Sequence, residues 1–103
     1  MILSIPKSDY NSIYSKESPI YLSQADKVYF VLDTTTWGAP SSSTFYLKNL
    51  LSAEIVQNGS CTVSGNEVTT PLLNFVEKMV YELEIILSIG TEERSVLTNL
   101  VIL

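Results

Sequence analysis

The run Met79-Val80-Tyr81-Glu82-Leu83-Glu84-Ile85-Ile86-Leu87-Ser88-Ile89 constrains the fold more than any other part of this chain. Met79, Tyr81, Leu83, Ile85, Leu87 and Ile89 share one parity and are all apolar, whereas the other parity mixes Val80 and Ile86 with Glu82, Glu84 and Ser88. A period of two over that length is the pattern of a strand with one face buried. Gly90-Thr91-Glu92-Glu93 interrupts it, and Ser95 to Leu103 follows as a second apolar strand, so the two predict a long C-terminal hairpin. A hairpin cannot bury such a face alone and needs other strands over it. The rival reading is a helix begun by Thr70 and Pro71, with Leu72, Val76, Met79 and Leu83 at helical spacing. Continued to Gly90, that helix would put Tyr81, Ile85 and Ile89 on the side of Asn74, Lys78, Glu82 and Ser88, a poor amphipathic division. The expectation is a strand from Met79, with one helical turn at most over Leu72 to Glu77.

A chain of 103 residues, 46% hydrophobic and 17% charged, is one domain spanning 1–103 and can bury roughly two-thirds of its unfolded surface. Asp and Glu number 11 against 6 Lys and Arg, and the cations Lys7, Lys16, Lys27, Lys48, Lys78 and Arg94 are scattered. A surface that tracks phosphates needs clustered cations, so nucleic acid is not an expected partner. No apolar run reaches bilayer length and no signal-peptide pattern opens the chain, so no membrane partner is expected. Cys61 is alone and reads as a small residue in a strand.

Along the chain, Ile2 to Ile5 before Pro6 reads as a first strand at a sheet edge. Tyr10, Ile13 and Tyr14 fit a helical turn or an irregular strand. Ile20-Tyr21-Leu22 leads to a turn at Ser23-Gln24-Ala25-Asp26, and Lys27 to Leu32 reads as an interior strand. Asp33 to Thr44, rich in Thr and Ser and holding Trp37, Gly38 and Pro40, is the longest loop. Asn58-Gly59 is the strongest two-residue hairpin signal, predicting that Ala53 to Gln57 pairs with Ser60 to Val63 across it. A further reversal at Gly65-Asn66 precedes Glu67 to Thr70. Turns about every ten residues and little helix predict an all-β fold: a single immunoglobulin-like β-sandwich of about 7–9 short antiparallel strands with a long C-terminal hairpin. The Cys-Trp-Cys core of antibody domains is missing.

Several of these segments resemble the small β-sandwich domains of tailed-phage structural proteins, including the N-terminal modules of baseplate upper proteins. Ile5-Pro6-Lys7-Ser8-Asp9 looks like their first strand and turn, with Ser8 where glycine is common. Leu22 to Leu32 is similar to their turn-Asp-Lys-Val-Tyr-Phe strand. Val80-Tyr81-Glu82-Leu83-Glu84-Ile85 and Ser95 to Ile102 look like their two last strands. The resemblance implies a non-enzymatic virion component that assembles in the host cytoplasm and acts through contacts with other virion proteins and copies of itself.

With no histidine in the chain, histidine-based triads are excluded. No cofactor is expected, and no metal, since zinc sites need several soft ligands and no Asp-rich calcium loop is present. Glu82 and Glu84, about 7 Å apart on one strand face, have the elements of a hydrolytic carboxylate pair, but solvated carboxylates on an outer sheet face account for them better. Asn58-Gly59-Ser60 has the pattern of a glycosylation acceptor, though a tight turn is the simpler reading. The interaction residues expected from the sequence are Trp37, Tyr46, Leu100 and Ile102: the indole as an anchor in the long loop, and Leu100 and Ile102 on an oily terminal strand whose open edge would pair with another chain. Trp37 has a second reading, folded back over an open end of the sandwich. An alternative function is a carbohydrate-binding or adhesin module presenting Trp37 and nearby tyrosines to a glycan.

Overall fold

A computed structural model describes residues 1–23 and 27–103, so the turn expected at Ser23-Gln24-Ala25-Asp26 lies, all but Ser23, outside the described residues. The chain is all-β. Among the described residues there are ten strands and no helix: β1 (Ile2–Ser4), β2 (Ser12–Tyr14), β3 (Ile20–Leu22), β4 (Val31–Asp33), β5 (Ser42–Asn49), β6 (Glu54–Ser60), β7 (Thr62–Ser64), β8 (Glu67–Thr69), β9 (Val80–Ile89) and β10 (Glu92–Ile102). They form two packed sheets. The small one has the order β1-β4-β8-β7; the large one runs β2-β10-β9-β5-β6, with β3 also on β10.

Both sheets are mixed, which corrects the expectation of antiparallel strands throughout. β1 runs parallel to β4, and β2 and β3 both run parallel to β10. A period-two pattern reports which way side chains point and carries no information on strand direction, so these pairings were invisible in the pattern.

β9 is the centre of the large sheet, between β10 and β5. Tyr81, Leu83, Ile85 and Leu87 point inward and are buried, while the other parity is half-exposed. Rows of inward side chains cross the sheet: Val96, Ile85 and Phe45 make one, Thr98, Leu83 and Leu47 the next. Leu3, Leu32 and Val68 face them from the small sheet. Fully burying each such aliphatic side chain contributes about 1.5–3 kcal/mol. The hairpin turn is tighter than the sequence suggests: Glu92 already pairs with Ile89, and Gly90, at φ 60°, takes the first central position where a left-handed backbone is required.

Three further expectations are corrected. Asn58 and Gly59 lie inside β6, which pairs with β5 and not with the strand after it. A two-residue hairpin of that type needs φ above zero at both central residues, and Asn58 does not have it. The reversal falls earlier, where the Asn49 side chain accepts the backbone N–H of Leu51 and Ala53 adopts φ 61°. Secondly, the interior strand expected from Lys27 is shorter and later, β4, with Val28 contributing only an isolated bridge to Leu73. Thirdly, residues 72–77 are not a helical turn. Leu73 and Phe75 are buried while Leu72, Asn74 and Val76 are exposed, and Gln57 of β6 holds both backbone groups of Asn74 through its side-chain amide.

Side-chain and backbone ties join the two sheets along both sides. On one, the Glu17 carboxylate accepts the backbone N–H and hydroxyl of Ser4 on β1, while Ser15 and Asn99 fix the same excursion to β10. On the other, the chain passes from β6 to β7 through Cys61, whose backbone N–H bonds to Ser43 of β5. Cys61 is half-buried between the two strands, and that burial pushes its thiol up from the ordinary value, partly offset by the nearby Ser43 hydroxyl.

Candidate interaction surface

Among the described residues, no layer of this chain lies over the outer face of the large sheet. Its side chains follow from register: Leu97 of β10 pairs with Tyr14 on one side and Glu84 on the other, Glu84 pairs with Tyr46, and Tyr46 with Asn58. A neighbouring row runs Asn99, Glu82, Lys48, Ile55. Tyr21 opposes Val101, which opposes Val80. Tyr14, Tyr21 and Tyr46 are 44%, 64% and 39% exposed, and they flank the half-exposed apolar centre of Leu97, Ile86, Val80 and Val101. Tyrosine on a flat apolar surface presents a large rigid ring and a hydrogen-bonding tip at low entropy cost, which suits it to contact.

The polar members of the face are sparsely engaged. Tyr14 donates its hydroxyl to Glu82 at 3.1 Å, and its own pKa is raised, chiefly by desolvation and then by that carboxylate. Lys48 stands opposite Glu82 in register without closing an ion pair; among the described residues the ion pair is Arg94 with Glu92, at 3.0 Å near the hairpin turn. Glu82 and Glu84 thus stand on an open face and not in a cleft. Among the described residues no three acidic or cysteine side chains approach closely enough to hold a metal ion. Among the described residues no helix is long and apolar enough to cross a membrane.

At the β6 edge the ladder is irregular. Its register shifts between Leu47 and Lys48, and the extra residue leaves Ile55 and Val56 both exposed, at 48% and 45%. Beside them Thr44, Phe45, Tyr46, Asn58, Gly59 and Ser60 line an open concavity of about 230 Å³. Nothing local in the sequence marks that concavity. It arises from pairing β6 with β5, which the turn expected at Asn58-Gly59 would have forbidden.

The residues expected from the sequence separate into two groups. Tyr46 lies on the open face. Leu100 and Ile102 are 0% and 1% exposed, because their parity on β10 points into the core. Nor is β10 an open edge, since it is paired on both sides, with β9 and with β2 and β3. Trp37 takes its second reading. Its backbone is held by Thr34, its indole N–H reaches the carbonyl of Ser8 at 3.5 Å, and it packs half-buried against the core at the end of the sandwich. The Arg94 guanidinium covers one ring face at 4.9 Å from the centroid, so the indole is not a free platform. The serines of the long loop are partly strand: Ser42 and Ser43 open β5.

No family model matches the chain, and neither the curated proteins nor the solved structures contain a significant match.

Proposed function

We propose that this chain is a non-enzymatic structural protein that acts through protein–protein contacts, and that the contact surface is the outer face of the large sheet. The observation that carries the reading is that face itself: Tyr14, Tyr21 and Tyr46 around Leu97, Ile86, Val80 and Val101, with no layer over them among the described residues. Soluble domains do not ordinarily leave the broadest face of their larger sheet so rich in apolar and aromatic side chains unless something covers it. The sequence resemblance to tailed-phage β-sandwich domains supplies the setting: a virion, with other virion proteins and copies of this chain as partners.

The test is incorporation. Purified particles from the host that encodes this chain should contain it, and antibody labelling should place it on the tail, baseplate or neck. Leu97→Lys, on the open face, should abolish incorporation while leaving the unfolding midpoint within a few degrees. Particles that lack the protein would refute the virion setting. Incorporation unimpaired by Leu97→Lys would refute the face.

A further inference from the structure

We propose that the concavity between β5 and β6 is a binding site for a single uncharged sugar ring. It goes beyond the assembly reading and does not depend on it. Thr44 pairs with Ser60 and Tyr46 with Asn58, so the four side chains stand two on each strand on the outer face. Phe45 and Gly59, the latter without a side chain, complete the lining. Its volume, about 230 Å³, lies below the roughly 300–1,000 Å³ of sites that enclose drug-sized molecules. A monosaccharide is the matching scale.

The chemistry of these four side chains selects the ligand class. Tyr46 supplies an aromatic ring beside the concavity for the C–H face of a sugar. Asn58 supplies one acceptor and two donors, and Thr44 and Ser60 add hydroxyls that both donate and accept. Among the described residues none of these four side chains makes a hydrogen bond to the protein, so all of that capacity faces outward. No cation lines the site, and Glu84 stands next to Tyr46 on β9, which disfavours an anionic sugar. An edge strand offers its backbone to other strands as well, but the register shift at Val56 and the Gln57 clamp on Asn74 break the regular ladder that strand addition needs.

NMR titration of the labelled chain with the methyl glycosides of glucose, galactose and N-acetylglucosamine, and with glucuronate, tests the site. At least one neutral glycoside should give saturable shifts centred on residues 44–46 and 58–60, with glucuronate weaker. Tyr46→Ala and Asn58→Ala, both on exposed positions, should each weaken binding at least tenfold, while Tyr29→Ala on the far side leaves it unchanged. Three results would overturn the proposal: no saturation by any neutral glycoside up to about 100 mM, tighter binding of glucuronate, or shifts that survive Tyr46→Ala. Any of the three would leave the contact face and its incorporation test untouched.

Discussion

Arg94 lies over the indole of Trp37, its guanidinium carbon 4.9 Å from the ring centroid, and so ties the start of β10 to the loop that follows β4. The contact closes one end of the sandwich from both sheets. Because Trp37 is the single tryptophan, emission excited at the indole band reports the surroundings of this one side chain. Arg94→Ala should shift the emission to longer wavelength and cost about 0.5–1 kcal/mol. Trp37→Ala should cost about 2 kcal/mol, less than the 3–5 of a fully buried aromatic, since the indole is half-exposed. Emission already at the wavelength of free indole in the native protein would contradict the packing.

Ile85 and Ile86 are neighbours with opposite fates on β9, the first buried at the centre of the core and the second half-exposed on the outer face. Ile85→Ala should destabilise by about 2–5 kcal/mol, Ile86→Ala by less than about 1. Denaturant unfolding of the two variants checks the inward parity directly. A larger loss for Ile86→Ala would mean that the sheet faces the other way, and equal losses that it is covered on both sides.

The Asp33 carboxylate accepts the hydroxyl and the backbone N–H of Thr35, and these bonds hold its pKa below the ordinary value. A depressed folded pKa contributes stability that is present above the unfolded value, about 3.9, and is lost as pH falls through the folded one. The group is almost fully exposed, so the effect on stability is small and the titration itself is the better readout. An NMR titration should place the Asp33 midpoint below that of a free aspartate, and Thr35→Val should raise it. A midpoint unmoved by Thr35→Val would show that the hydroxyl contributes nothing.

The parity of the C-terminal hairpin was readable because period two survives whatever the neighbouring strands do. Tyr81, Leu83, Ile85 and Leu87 are buried as the alternation requires. The reversal at Gly65-Asn66, between β7 and β8, is readable for a similar local reason. What was not readable is non-local. Leu100 and Ile102 looked like an exposed oily edge because nothing local announces that β2 and β3 return from the other end of the chain to cover β10. Asn58-Gly59 carried the right residues for a turn but sits where Asn49 and Ala53 have already made one a few residues earlier. Tyr46 was legible as a surface aromatic, whereas its partners Asn58 and Ser60 depended on a pairing that the apparent turn concealed.

The contact face makes a demand on the tyrosines that one measurement can meet. Tyr10, Tyr14, Tyr21, Tyr29 and Tyr46 are all exposed, and Tyr81 is buried, so hydroxyl-radical footprinting of the free chain should label the first five and spare the last. In assembled particles Tyr14, Tyr21 and Tyr46 should become protected together while Tyr10 and Tyr29 remain labelled. Protection of Tyr10 and Tyr29 with the other three still open would contradict the account, because the surface that meets the partner would then lie elsewhere.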